Sequence, residues 1–165
     1  MKQVVCNSSP IIALSSINQL ALLPELFDVI HIPHGVYTEV TKGSESAEEV
    51  TQLVQVLQTP PFQLYQVENR EAVYRLYGKL HLGEIEVVMA AKELSVSEVL
   101  LDDLPARKLA QTFLLQPLGT LGVLMLAKKE RKIPALKPLL DQLISRHFQV
   151  SARLYEQVLQ YAGEQ

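Results

Sequence analysis

Several features that would point to an extracellular or membrane protein are missing from this chain. Its 165 residues include one cysteine and no tryptophan, so an internal disulfide framework is excluded and a reducing compartment suits the protein. No segment approaches the roughly 20 apolar residues that a membrane helix needs. The stretch Asn7-Ser8-Ser9-Pro10 interrupts the amino terminus, which does not fit a signal peptide. We therefore expect a cytoplasmic protein that does not bind membranes.

Motifs for several common activities are also missing. Neither a GxGxxG nor a GxxxxGK[ST] loop occurs, which argues against the usual nucleotide-binding sites, and no GxSxG motif marks a nucleophilic serine. The four histidines lack HExxH spacing, so a zinc site is not expected. The net charge of −3 argues against broad, sequence-independent binding to nucleic acid. An acidic metal site that acts on RNA is still compatible with this charge, because bound cations reverse the local field.

Short apolar segments alternate with longer helical patterns, which predicts βαβ units around a mostly parallel sheet. The length favours a single domain, residues 1–165, in which 135–165 form a helical C-terminal extension. The predicted strands are 3–6, 28–32, 62–67, 97–101 and 115–118, with 62–67 at an edge because prolines precede it. The first predicted helix is capped by Ser8 or Ser9. The other predicted helices are 20–27, 36–41, 47–55, 70–77, 82–94, 105–113, 121–129, 136–145 and 152–161, with a break at 43–46 before the helix at 47–55.

Acidic and amide residues follow the predicted strands or begin the predicted helices. Asn7 closes the first apolar run, Glu39 lies in the stretch after the second strand, and Asp102-Asp103 end the fourth. Glu84 and Glu86 lie at the start of a helix. In an α/β sheet the carboxyl ends of the strands face one crevice, and oxygen ligands that meet there suit a hard divalent cation. This placement predicts a metal-dependent, nuclease-like site.

Each of these residues also has an ordinary structural interpretation. The Asp102-Asp103 pair can cap the helix that follows, and Glu84 and Glu86 can interact favourably with a helix dipole. Glu39 alone would more often be a solvated helix residue, and Asn7 a turn or cap residue. Because Glu84 and Glu86 are two residues apart, they point in different directions, and at most one is expected to bind a metal directly. Only the joint placement of all four groups favours a functional site.

Two further features bear on binding partners. Residues 128–132 (KKERK) form a basic cluster at a helix end, which fits either the carboxyl-terminal helix dipole or contact with phosphate groups. Arg107 and Lys108, just past the Asp pair, are better placed to meet a substrate backbone. The leucine-rich tail from Leu136 predicts packing partly on the domain and partly on a second copy, which would give a homodimer.

These residues make the chain resemble PIN-domain proteins over nearly its whole length. The resemblance is to the bacterial and archaeal branch labelled as a domain of unknown function, which is related to the ribonuclease toxins of toxin–antitoxin pairs. Five landmarks occur in the matching order: VVCNSSPIIAL (4–14), IP (32–33) followed by VYTEV (36–40), GEIE (83–86), LLDD (100–103) with AR (106–107), and GTLGVL (119–124). The resemblance implies a three-layer α/β/α fold and a site that binds Mg²⁺ or Mn²⁺.

The resemblance also implies roles for individual residues. Ser9 and Thr120 match small hydroxyl positions that orient water or an acid, and Glu84 is preferred over Glu86 because it directly follows Gly83. The ions would activate water and stabilise the charge that builds on the scissile phosphate. The implied catalytic residues are Asn7, Glu39, Glu84, Asp103, Ser9 and Thr120, and the candidate metal ligands are Asn7, Glu39, Glu84, Glu86, Asp102 and Asp103.

The first acidic position departs from the family pattern. Active nucleases of this fold carry Asp at the end of the first strand, whereas this chain has Asn7. A neutral amide still coordinates through its oxygen but supplies no charge, and Mg²⁺ has little tolerance for a poor site. We expect weaker divalent binding, with activity either kept in Mn²⁺ or lost.

Three functional hypotheses follow. The first is a metal-dependent endoribonuclease, toxin-like and held in check by a small antitoxin-type protein. The second is a binding module that keeps the fold but has an impaired metal site. The third is a phosphorylation receiver, which needs an acidic pair after its first strand and a Lys after its last. Here Asn7 and Gly119-Thr120 occupy those positions, which disfavours the third hypothesis.

Overall fold

The computed structural model describes residues 1–43, 46–76 and 80–165. Its strands are β1 (Gln3–Cys6), β2 (Val29–Pro33), β3 (Phe62–Tyr65), β4 (Glu98–Leu100) and β5 (Gln116–Leu118). Within the described residues they form one sheet in the order β3-β2-β1-β4-β5, and each neighbouring pair is parallel. The predicted α/β class is therefore confirmed, and the third strand lies at an edge as its prolines predicted. That strand was predicted too long, because it ends at Tyr65.

The helices are α1 (Ser8–Ser16), α2 (Leu22–Leu26), α3 (His34–Lys42), α4 (Ala47–Leu57), α5 (Arg70–Leu76), α6 (Leu82–Leu94), α7 (Leu104–Thr112), α8 (Thr120–Lys129), α9 (Lys137–Ser145) and α10 (Ala152–Ala162). The prediction of Ser8 or Ser9 as the first cap was wrong, because Asn7 holds the N-cap position of α1. The predicted break at residues 44–45 and the predicted helix end at residue 77 lie outside the described residues. None of the helices in the described ranges is both long and apolar enough to span a lipid bilayer.

The strand register brings the functional candidates to one edge of the sheet. Val5 pairs with His31 of β2, and Cys6 pairs with Leu100 of β4. Because parallel strands must be joined by crossover connections, the residues that follow each strand all emerge at the carboxyl edge. The segments that begin at Asn7, His34, Leu101 and Gly119 consequently start side by side.

Helices cover both faces of the sheet in the α/β/α arrangement. α6 packs against β1, β2 and β4 and contacts α3, α5 and α7, whereas α8 contacts α1, α2 and α10. Val4, Val5 and Cys6 of the central strand are fully buried, as expected for a parallel strand covered on both faces. This buried strand fixes the position of Asn7, the next residue in the chain.

The C-terminal helices are joined to the rest of the chain. α10 packs on α8, and Leu140, Leu143 and Val158 are buried. Glu164 accepts hydrogen bonds from the N–H groups of Leu136 (2.7 Å) and residue 137 (2.8 Å) and forms an ion pair with Lys128 (3.1 Å). These contacts hold the start of α9 and the end of α10 close to the end of α8.

Among the helices of the described ranges, five end in the same motif without glycine. Asn18, Ser95, Leu114, Arg131 and His147 have φ between 55° and 69°, and in each case the next residue donates its N–H to the carbonyl five residues earlier. This is the Schellman arrangement, which glycine adopts at the lowest conformational cost. Leu114 is the most unusual of them, because its large apolar side chain is 86% exposed.

We predict that Leu114→Gly raises the free energy of unfolding by about 0.5–1 kcal/mol. Relief of the left-handed conformation should outweigh the added entropy of the unfolded chain. Urea denaturation measures the change. Leu114→Ala is the matched control, since it removes the same exposed side chain but keeps a Cβ, and it should change stability by less than about 0.5 kcal/mol. Equal effects of the two substitutions would show that the backbone conformation is not the cause.

Candidate functional site

Asn7 carries a buried acceptor that the described chain leaves unbonded. Its backbone N–H donates to the carbonyl of Leu100 (3.1 Å), which ties the residue to β4. Its side chain is 2% exposed, and among the described residues Oδ1 has no hydrogen-bond partner. An unsatisfied buried polar atom costs about 1–3 kcal/mol. The carbonyl oxygen is therefore suited to a ligand that accepts its lone pairs.

Glu39 connects the starts of two other helices. On α3, its Oε2 accepts a hydrogen bond from Ser8 Oγ (2.8 Å), and its Oε1 accepts one from the N–H of Gly83 (3.2 Å). A Cβ at Gly83 would lie 2.6 Å from Glu39 Oε1, so any other residue here would displace this carboxylate. The Gly83 landmark therefore has a physical explanation in the site itself.

Glu84 lies in the first turn of α6 and is 7% exposed. Its Oε2 accepts a hydrogen bond from the N–H of His81 (3.2 Å), and the His81 side chain completes a capping box. Burial raises the pKa of Glu84 above its usual value, and the nearby charges of Asp103 and Glu39 raise it further, against the lowering effect of His81. The charges of Asp103 and Glu39 therefore act on Glu84 across the site.

The Asp pair divides as successive residues after a strand should. Asp103 caps α7, because its Oδ2 accepts the N–H of Ala106 (3.2 Å). Asp102 binds Thr120 at the start of α8 through the backbone N–H (2.6 Å) and the hydroxyl (2.7 Å). Burial raises the pKa of Asp102, although the bonds from Thr120 and the charge of Arg107 oppose that shift. Asp102 therefore joins β4 to α8, and Asp103 is the member of the pair whose charge acts on Glu84.

Gly119 allows the Asp102–Thr120 connection to form. A Cβ on this residue would lie 2.8 Å from Arg107 Nη1 and 3.0 Å from Asp102 Oδ1. Glycine is needed here because the backbone before α8 passes directly beside both side chains.

Glu86 binds a different helix from Glu84. Its Oε2 accepts a hydrogen bond from the N–H of Gly35 (2.6 Å) in the first turn of α3. The two-residue spacing from Glu84 predicted this divergence, although the partner of Glu86 had no signal in the sequence.

The structure thus gathers some of the candidate residues and separates others. Glu39, Glu84 and Asp103 influence one another, and Asn7 adjoins Ser8, which bonds to Glu39. Asp102 and Thr120 form a separate pair, and Ser9 is exposed at the edge of a cavity. Sequence reasoning missed Ser8 and His81; the serines of the NSSP stretch predicted capping but not which of them would reach Glu39.

A family model described as a PIN domain matches residues 3–164. The chain belongs to the PIN-domain family. No curated protein and no solved structure matches it. The predicted family and three-layer fold are confirmed, and the PIN assignment indicates a nuclease-like fold. PIN domains generally use divalent metal ions.

The donor atoms of this PIN domain fit a divalent cation chemically. An amide oxygen and carboxylate oxygens are the ligands that Mg²⁺ or Mn²⁺ prefers, and the unbonded Oδ1 of Asn7 is the clearest sign that a cation fits here. In the described ranges, however, no three His, Cys, Asp or Glu side chains are grouped closely enough to hold a metal. The carboxylates instead bind helix-start N–H groups, so metal binding would require some of these side chains to turn.

We predict that Glu84→Gln stabilises the metal-free protein at pH 7 and that this advantage shrinks as the pH falls towards 4.5. The folded-state pKa of Glu84 is raised above its usual value of 4.5, so between these two pKa values the folded state binds more protons than the unfolded state. Wild-type stability therefore decreases as the pH rises through that window. Glutamine retains an acceptor for the His81 N–H without the charge.

Urea denaturation in EDTA at pH 4.5, 5.5 and 7 measures this effect. Glu156→Gln is the control, because it removes an exposed carboxylate of α10 and should change stability by less than about 0.5 kcal/mol. A wild type that is more stable than Glu84→Gln at pH 7 would contradict the assigned repulsion.

Proposed function

We propose that this protein is a metal-dependent endoribonuclease that hydrolyses RNA phosphodiesters. Asn7, Glu39, Glu84 and Asp103 are the proposed ligands of Mg²⁺ or Mn²⁺. The observation that carries this proposal is the buried, unbonded Oδ1 of Asn7 next to a group of acids whose charges raise the pKa of Glu84. The PIN family itself suggests RNA as the nucleic acid.

The other residues of the site have positioning roles in this proposal. Ser8 and the Gly83 N–H orient Glu39, and the Asp102–Thr120 bonds fix the start of α8 beside Asp103. A bound divalent cation would activate water and stabilise the charge on the scissile phosphate. Because Asn7 supplies no charge and Mg²⁺ demands near-ideal geometry, we propose that Mn²⁺ supports activity better than Mg²⁺.

We predict that Glu39→Gln reduces Mn²⁺-dependent RNA cleavage by at least about 10- to 100-fold, the loss typical even for outer-shell partners of a metal site. Glutamine keeps the size and one acceptor oxygen but removes the charge. Cleavage of a labelled single-stranded RNA by purified protein measures the rate. The exposed Glu48 of α4 gives the control Glu48→Gln, which should cleave at the wild-type rate. Undiminished cleavage by Glu39→Gln would exclude Glu39 from the site.

We also predict that Asn7→Asp tightens Mn²⁺ binding by at least about tenfold and destabilises the protein in EDTA. A carboxylate adds charge to the site, which favours the cation but increases repulsion without it. Isothermal titration calorimetry measures the affinity. Asn18→Asp adds the same charge at the exposed end of α1, roughly 16 Å along the helix axis from Asn7, and should leave Mn²⁺ affinity within twofold. Unchanged affinity for Asn7→Asp would show that residue 7 is not a ligand.

A binding module with an impaired metal site is the second candidate. The neutral Asn7 favours it, as do the helix-start hydrogen bonds that already engage Glu39, Glu84 and Asp103. Absence of both Mn²⁺ binding at millimolar concentration and RNA cleavage would support this function instead.

Three finer proposals concern the biological setting. We propose a toxin role with a small antitoxin-type partner, a cytoplasmic location and a homodimer. Ile144 and Tyr161 of the C-terminal helices are 40% and 59% exposed, which leaves apolar surface for a second copy. A monomeric mass in solution at micromolar concentration would exclude the dimer.

A further inference from the structure

A cavity of about 960 Å³ opens directly beside the acidic site. It lies between α1, the start of α7, α8 and the turn that joins α9 to α10. Ser9 and Asp103 line it at the acidic end, whereas Arg146, His147 and Phe148 line it at the other side. The cavity therefore connects the acids of the carboxyl edge with the C-terminal helices.

The turn after α9 has a defined conformation. His147 adopts φ 69°, its N–H donates to Ile144, and the N–H of Phe148 donates to Leu143 (3.0 Å each). In such a Schellman motif the residue after the left-handed position packs back on the helix. Phe148 is accordingly half-buried against the core, whereas Arg146 and His147 are exposed beside it. The turn presents one aromatic ring and a cation to the cavity.

The charges around the cavity differ from those of the chain as a whole. Arg107 and Arg146 both line it, together with Asp102 and Asp103, so these four side chains carry no net charge. Across the described part of the chain, no salt bridge joins Arg146 to an acid. A protein of net charge −3 thus places two guanidinium groups beside its acidic site, where they can bind phosphate groups in bidentate fashion.

We infer that this cavity holds the stretch of single-stranded RNA adjoining the scissile phosphate, with Arg146 on a backbone phosphate and Phe148 stacked on a base. The inference rests on the proposed ribonuclease function. A strand cleaved at Asp103 must continue into an adjoining space, and this cavity begins there. Cationic walls combined with an aromatic face are the features that bind single strands irrespective of sequence. The apolar side chains of Ile12, Leu104 and Met125, which also line the cavity, suit the faces of unpaired bases.

Equilibrium binding of a fluorescein-labelled single-stranded oligoribonucleotide tests the inference in EDTA, where a metal-dependent enzyme cannot cleave. Arg146→Gln should weaken binding about 5- to 10-fold at 100 mM salt and reduce the slope of log K against log salt by about 0.7, the value for one phosphate contact on a single strand. Arg153→Gln is the matched control, because Arg153 is exposed on α10 and does not line the cavity. It should bind within twofold of wild type.

Phe148 variants test the stacking separately. Phe148→Ala should weaken binding about 5- to 150-fold. Phe148→Leu keeps most of the apolar volume that packs on the core, so it should fold normally yet still bind weakly. Photo-crosslinking of wild type with a 4-thiouridine oligonucleotide should label the tryptic peptide 147–153.

The outcomes separate this inference from the proposed function. If the Arg146 and Phe148 variants cleave RNA normally with Mn²⁺ and bind it with wild-type affinity, the cavity assignment is overturned but the ribonuclease proposal is not. This is the result expected if the cavity binds a protein segment instead of RNA. Weakened binding in these variants without any cleavage by wild type would support the cavity and contradict the catalytic proposal. Failure of wild type to bind RNA would overturn the assignment.

Discussion

Hydrogen bonds from helix-start N–H groups to acidic side chains hold the carboxyl edge of this sheet together. Such bonds place negative charge at the positive ends of helix dipoles, where each cap contributes about 1 kcal/mol. Three of the five pairs named next also join elements that are far apart in the chain, whereas Glu84–His81 and Asp103–Ala106 are local caps at the start of one helix. The pairs are Glu39 with Gly83, Glu84 with His81, Glu86 with Gly35, Asp102 with Thr120, and Asp103 with Ala106. The arrangement of the whole site depends on them.

The same bonds create a conflict between folding and metal binding. The acids that cap helices are brought close enough for Asp103 and Glu39 to raise the pKa of Glu84, and a cation would relieve that repulsion. Binding it would cost some of the caps. Asn7 reduces both the repulsion within the metal-free site and the attraction of the site for a cation, because its side chain is neutral. The substitution thus shifts the site towards stability without metal.

The sequence pattern predicted what depends on local chemistry. Buried β-branched runs located β1 and β4, and the positions after them located Asn7 and the Asp pair. The two-residue spacing separated Glu84 from Glu86, but Gly35, the partner of Glu86, could not be predicted, because that contact depends on where α3 and α6 meet. His81 lies only three residues before Glu84, but histidine is not one of the usual capping residues. The unbonded Oδ1 of Asn7 was equally hidden, since the sequence favoured an ordinary cap that the side chain does not form. Sequence spacing does not encode these tertiary distances.

One side of the acidic site is closed by hydrogen-bonded helices and the other side is open, so a bound polymer could extend only towards the open side. On the β2 side, α3 and α6 are joined by the Glu39–Gly83 and Glu86–Gly35 hydrogen bonds, and a Cβ at Gly83 would displace the Glu39 carboxylate. On the β4–β5 side, an open cavity lies beside the starts of α7 and α8, and the turn after α9 also lines it. Glu164 and Lys128 hold the other ends of α9 and α10 to α8, so the last residues of the chain support the two helices that carry this turn. The C-terminal helices therefore complete the site's surroundings as well as extending the fold.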